Sequence, residues 1–147
     1  MDETAVREYI MHMGEGVDVV SAAGDDFYFY NPPGGVAPDY RFPFATLITG
    51  DRHDQASNLD RPDVYRLNVG VSKATFRRLF GADAAGADPA YEYAALDRLM
   101  PHPVYAAQHW VCVLNPSPAT FASGVQPLLA EAYDRAVVRQ TRLAARK

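Results

Sequence analysis

Val6, Ile10 and Met13 recur at helical spacing behind Asp2, a residue type that caps helix starts, so the chain opens on a predicted helix. Gly14 and Gly16 stop it. Val17 to Ser21 then reads as a short strand, Gly24-Asp25 as a turn, and Phe27-Tyr28-Phe29-Tyr30 as an all-aromatic strand. The pair predicts a hairpin. Alternation separates Phe27 and Phe29, expected in the core, from Tyr28 and Tyr30 on the other face. Asn31 to Pro38, rich in proline and glycine, is a loop.

Phe44 to Thr49 is apolar enough for a central strand, and a polar loop follows through Asp60. Val64 to Val69 alternates, with Val64, Arg66 and Asn68 on one face and Tyr65, Leu67 and Val69 on the other. Ser72 caps a short helix that turns Phe76, Leu79 and Phe80 inward. A loop from Gly81 to Pro89 precedes a second short helix, Tyr93 to Met100, which Pro101 and Pro103 stop. His109 to Leu114 is the last strand. Ser117 and Pro118 start a helical turn, Gly124 and Pro127 interrupt it, and Leu128 to about Arg142 forms the longest helix. Leu128, Leu129, Ala132, Tyr133, Ala136 and Val137 make its apolar stripe.

Strands joined by short turns, with helices between and at both ends, predict a two-layer α+β fold. The expected sheet is mainly antiparallel, with about five strands and helices on one face, in a single domain over residues 1–147. Composition agrees, at 48% hydrophobic and 22% charged residues. No apolar run is long enough to span a membrane, and the acidic start Met1-Asp2-Glu3 is unlike a secretory signal. One cysteine makes no intramolecular disulfide, so a cytoplasmic location is expected.

The net charge of −4 is unevenly placed. Residues 1–130 carry nine basic and sixteen acidic side chains, and residues 131–147 carry five and two. An acidic body repels phosphate backbones, so nucleic acid is disfavoured as a partner. The basic tail argues the other way. Its Arg135, Arg139, Arg142 and Arg146 recur at intervals of four, three and four, which puts them on one helical stripe. The helix macrodipole alone favours such a placement; a contact surface for nucleic acid or an acidic partner is the sharper alternative.

Candidate chemistry is sparse. Asp51, His53, Asp54 and Asp60 offer metal-ligand atoms on one loop, but the spacing matches no zinc or EF-hand pattern, and no metal or other cofactor is expected. His102 and His109 flank the approach to the last strand through Tyr105, and histidine is the side chain best suited to proton transfer near neutral pH. The plainer roles are local capping or packing for His102, between two prolines, and a solvent-facing place at the strand start for His109. Cys112 alternates among apolar neighbours and reads as a buried small hydrophobe. Tyr28 or Tyr30, Tyr65, Arg66, Tyr105 and the His102–His109 segment are the expected walls of any ligand cleft, of which at most one of Tyr65 and Arg66 can point inward.

Two segments carry a resemblance. Leu59-Asp60-Arg61-Pro62-Asp63-Val64-Tyr65-Arg66-Leu67-Asn68-Val69-Gly70-Val71-Ser72 is one, and the run from Pro101 to Pro116 around His109-Trp110-Val111-Cys112 is the other. Together they closely resemble a family of bacterial proteins of this size that carries only a domain-of-unknown-function label. More distantly, Trp110 on a strand and Leu128, Leu129 and Tyr133 on a following helix are similar to the MmcQ/YjbR-like family. That similarity implies a CyaY-like α+β fold and a proposed DNA-binding role, from which the Asn31–Pro43 loop and the acidic body depart. Fold likeness by itself carries no function. The reading is a ligand- or partner-binding domain, its partner a small molecule or protein and not a membrane. The alternative is a cofactor-independent enzyme working by acid–base chemistry through His102, His109, Tyr30 or His53. Weak DNA binding through the arginine stripe is the third.

Overall fold

The Asp2 carboxylate accepts the Ala5 N–H at 2.8 Å and so starts helix α1, Glu3–His12, whose Val6 and Ile10 are fully buried. A computed structural model describes residues 1–81 and 91–146; the loop expected from Gly81 to Pro89 lies, beyond Gly81, outside the described residues. Strands β1, Val17–Ala22, and β2, Asp25–Tyr30, form the expected hairpin. They are followed by β3, Ala45–Ile48, and β4, Arg66–Gly70. Ser72 caps helix α2, Lys73–Phe80, by accepting the Thr75 N–H. Strands β5, Met100–Pro101, and β6, Trp110–Leu114, complete one antiparallel six-stranded sheet in the order β1-β2-β3-β4-β6-β5. The last helix, α3, is Gln126–Ala145. Among the described residues, no helix is long and apolar enough to cross a membrane.

The α+β class and the antiparallel sheet are as expected, with local corrections. The sixth strand, β5, falls where the segment Tyr93–Met100 was expected to end as a helix. Met100 and Pro101 instead pair with Cys112 and Val111 at the sheet edge, the one place where a proline's missing N–H costs no ladder bond. The interruption at Gly124 is a single π-helical turn, Phe121–Val125, that runs directly into α3, with Pro127 in the first helical turn where no donor is needed.

The second correction concerns the aromatic strand. Tyr28, not the phenylalanines, fills the main core. It is fully buried beside Leu47, Leu67, Val69, Val111 and Val113, beneath Val6, Ile10, Leu128 and Leu129 of the helices. A buried phenol needs a partner, and Asp26, two residues along the same face, accepts its proton at 2.8 Å. Phe27 and Phe29 are half-buried on the helix-free face, with His53 edge-on to Phe27 and Arg41 over Phe29. The rest of that face, Ile48, Cys112 and Leu114, forms a second core with Leu59 and Met100 under the connecting loops.

Strand β1 leaves one sheet edge open. The bond from Asn31 N–H to Gly16 O fixes the pairing phase, so Val17, Val19 and Ser21 aim their backbone groups outward. The Val19 N–H is already taken, by the neighbouring Asp18 carboxylate at 2.8 Å.

Candidate functional site

A groove of about 1330 Å³ runs along α3. One wall is the helix itself, from Pro127 to Arg146. The opposite side is the end of the sheet, where Tyr30, Phe44, Gly70 and Trp110 lie, and the loop bearing Tyr40 and Phe42. Gly70 helps shape it: a side chain there would place its first carbon 3.1 Å from the Trp110 ring. The loop wall is tied to the helix wall. Gln140 donates to the Tyr40 carbonyl at 2.9 Å, and the Arg139 guanidinium sits 4.9 Å from the Phe42 ring centre. Tyr133 anchors the base of the helix, edge-on to both Tyr30 and Phe44, with its hydroxyl donating to the Glu15 carbonyl.

All four stripe arginines, Arg135, Arg139, Arg142 and Arg146, line this groove. Two acids line it as well. Glu131 is committed to α2, where it accepts from Ser72 N–H, Ser72 Oγ and Thr75 Oγ1 at the helix start. Asp134 is exposed. The free charge of the groove is therefore positive, in a chain that is negative overall.

A different set of polar residues lies sealed on the helix-free face. Arg66 is 1% exposed and forks onto Asp54, Nη1 to Oδ1 at 2.9 Å and Nη2 to Oδ2 at 2.6 Å. Its Nε donates to Asn68, Nη1 also reaches Ser57, and Asn68 in turn donates to Thr46. The Arg66 hydrogen bond holds the Asp54 carboxyl below its ordinary range against the opposing effect of burial. His102 is buried nearby. Its Nδ1 accepts both the Val104 and Tyr105 N–H groups at 3.0 Å, which leaves the proton on Nε2. Burial first, and the Arg66 charge second, lower His102 to about 3, so the ring is neutral at physiological pH.

At the margin of that face stands an ion cluster. The buried Asp25 carboxylate accepts from Thr49 N–H and Arg52, both at 2.8 Å, and contacts His53 Nε2 at 3.1 Å. Burial alone would raise Asp25; the Thr49 and Arg52 bonds outweigh it and keep the carboxyl low. His53 is half exposed. Among the described residues, no group of three or more His, Cys, Asp or Glu side chains converges as a metal site would require.

The residues singled out in the sequence do not meet in one cavity. Tyr30 and the four arginines line the groove. Tyr28 and Tyr65 are buried in the main core, the Tyr65 hydroxyl donating to the Met1 carbonyl at 2.7 Å. Arg66 and His102 lie on the opposite face of the sheet, and His53 at its margin. Tyr105 is exposed and tilted over the His102 ring. His109, at φ 65°, stands against Phe76. The groove takes Gln108 from the histidine-flanked segment and neither histidine. Sequence reasoning missed Tyr40, Phe42 and Trp110 as groove residues. The available signal was two aromatics bracketing Arg41 inside a proline-rich loop, a place where no core demands them.

Cys112 is fully buried, and its thiol donates to the Pro101 carbonyl. Burial pushes the thiol up from 9.0 to about 12, which lowers its thiolate fraction at neutral pH by about three powers of ten. A maleimide reagent is expected to label the protein only as fast as it unfolds, with labelling accelerated by denaturant. Rapid labelling of the native state would place Cys112 at an accessible site.

No curated protein and no solved structure matches the chain. One family model does, across residues 1–145, and the chain accordingly belongs to the Family of unknown function (DUF6194).

Proposed function

We propose that this protein is a binding module without catalytic chemistry of its own, and that the groove along α3 is its working surface. The ligand is an anion with apolar surface. One observation carries the reading: the four arginines of α3 face an aromatic wall across an open groove. Pockets that bind selectively combine an apolar lining with a few placed polar groups. Of the histidines, His102 is closed to solvent with its Nδ1 spent on two backbone N–H groups, and the buried Arg66 and Cys112 are likewise engaged, Arg66 with the Asp54, Ser57 and Asn68 side chains and Cys112 with the Pro101 carbonyl.

Trp110 is the chain's sole tryptophan and lines the groove, so its emission reports occupancy. Titration with anilinonaphthalene sulfonate, an anionic aromatic dye, is expected to quench Trp110 saturably. Arg139→Glu should weaken that binding by about tenfold or more, the worth of a lost charge-assisted contact with a repulsion added. Arg77→Glu on α2, outside the groove, should leave it unchanged. Equal effects of the two substitutions would remove the groove as the site.

A second reading, a cofactor-independent acid–base enzyme, draws support from the Asp25–His53 contact, in which a buried carboxylate orients an exposed imidazole. His53→Ala separates the two readings, because it abolishes such chemistry and spares the groove. The MmcQ/YjbR-like fold, with its DNA-binding analogy, is supported by the placement of Trp110 on β6 and of Leu128, Leu129 and Tyr133 on α3. The negative body opposes that DNA reading. A bacterial, cytoplasmic protein is the setting we favour, in keeping with its single buried cysteine.

A further inference from the structure

We infer that the groove along α3 receives an acidic segment of a partner protein, with bulky apolar side chains set between its carboxylates. This rests on the binding reading above and names the class of ligand.

The apolar half of the argument starts from exposure. Tyr40, Phe42 and Val138 are 51%, 44% and 46% exposed, and all three line the groove. A single exposed apolar residue is ordinary, but a cluster of them rimmed by charge marks an interaction surface. Tyr40 and Phe42 stand on the loop wall and Val138 on the helix wall, so an inserted side chain is contacted from two sides. The Gln140–Tyr40 bond already holds the walls together, which lowers the ordering cost of binding.

The charged half is a matter of spacing. At 1.5 Å of rise per residue, Arg135, Arg139, Arg142 and Arg146 follow one another at steps of about 6, 4.5 and 6 Å along α3. An extended peptide places every second side chain on one face, about 6.6 Å apart. The stripe thus spans about 16.5 Å against about 19.8 Å for four alternate peptide side chains, an offset that long arginine side chains absorb, and the guanidinium fork suits a carboxylate in two-bond geometry. Of the two acids in the groove, Glu131 is consumed at the start of α2, which leaves Asp134 as the opposing charge.

Single-stranded nucleic acid is the competing occupant, and the lining disfavours it. Base binding needs free ring faces. Of the three exposed apolar residues, Phe42 has Arg139 over its ring and Val138 offers no ring, which leaves Tyr40 alone among them to stack a base. A long polyanion also feels the acidic body, whereas a short segment held within a Debye length of the arginines is screened from most of it.

The test uses three fluorescein-labelled probes at physiological salt, read by anisotropy. One is a short peptide alternating glutamate with leucine and phenylalanine. The second carries serine in place of each leucine and phenylalanine. The third is a short oligothymidylate. The first is expected to bind at least about tenfold tighter than the other two. Arg142→Glu with Arg146→Glu should weaken it by about tenfold or more, while Arg77→Glu with Arg78→Glu, which makes the same charge change on α2, should not. Thermal melts of both variants check folding. Equal or tighter binding of the serine peptide or of the oligothymidylate overturns the inference. If no peptide binds while the dye still quenches Trp110 in an Arg139-dependent way, the acidic segment is wrong and the binding groove stands; if neither peptide nor dye occupies the groove, both readings fall.

Discussion

Asp54→Ala is expected to cost about 3–5 kcal/mol of stability in denaturant titration, more than any other single side-chain truncation on the protein's polar surface. The reason lies under the loop that Asp54 belongs to. Arg66 is sealed beneath it, and its charge is balanced by that one carboxylate. Removing Asp54 leaves a guanidinium with no counter-charge in a site water does not reach. Removing Arg66 is milder, because the Asp54 side chain retains 13% exposure and can rehydrate. Arg66→Met placed on top of Asp54→Ala should therefore recover part of the loss, a non-additivity expected of direct partners. A loss below about 1 kcal/mol for Asp54→Ala would mean that the loop opens readily and the pair is not sealed.

Acidification should produce the second large effect, well before carboxylates titrate. His102 has an ordinary value of 6.5 and is held at about 3 in the fold. Above pH 6.5 both the folded and unfolded chains carry it neutral, and it contributes no pH dependence. Below 6.5 the unfolded chain gains a proton that the folded chain refuses. Stability then falls by about 1.4 kcal/mol per pH unit, reaching on the order of 4–5 kcal/mol near pH 3. Asp25 and Asp54 add to this lower down: their depressed values stabilise the fold above their ordinary 3.8, and that contribution is lost as pH falls through the folded values. His102→Asn keeps an acceptor near the Nδ1 position for the Val104 and Tyr105 N–H groups but cannot titrate. Its stability should be lower at neutral pH from lost packing, and flatter between pH 6.5 and 4. A variant as acid-sensitive as the parent protein would assign the effect elsewhere.

What could be read from the chain was whatever is encoded locally. Asp2, Ser72 and Ser117 were recognisable as caps because a cap is a contact three residues away, and each makes it. The alternation from Val64 to Val69 correctly separated Arg66 and Asn68 from Leu67 and Val69. That Arg66 would be buried was not readable, since an arginine on a strand is buried only if a partner arrives from elsewhere. Here the partner comes from a loop twelve residues back. Tyr28 failed for a different reason. In a run of four aromatics both phases are apolar, and the deciding factor was the buried Asp26 that satisfies its hydroxyl. Strand β5 is two residues with a proline, too short to carry any period. The arginine stripe was legible as a stripe. Its conversion into one wall of a groove depends on the loop bearing Tyr40 and Phe42 being bound across to Gln140, a contact spanning 100 positions.

The bond from Val19 to the Asp18 carboxylate bears on how this protein behaves when crowded. An open strand edge is a template: any extended chain that meets it can dock by backbone pairing alone, and sheets grow into aggregates by that route. On β1 the central outward donor is already spent on a carboxylate, so an arriving strand finds a filled position and a negative charge beside it. The opposite edge offers only the two residues of β5, one of them a proline. Growth of the sheet is thus hindered at both ends, which reduces the hazard that Val20, exposed on β1, would otherwise add.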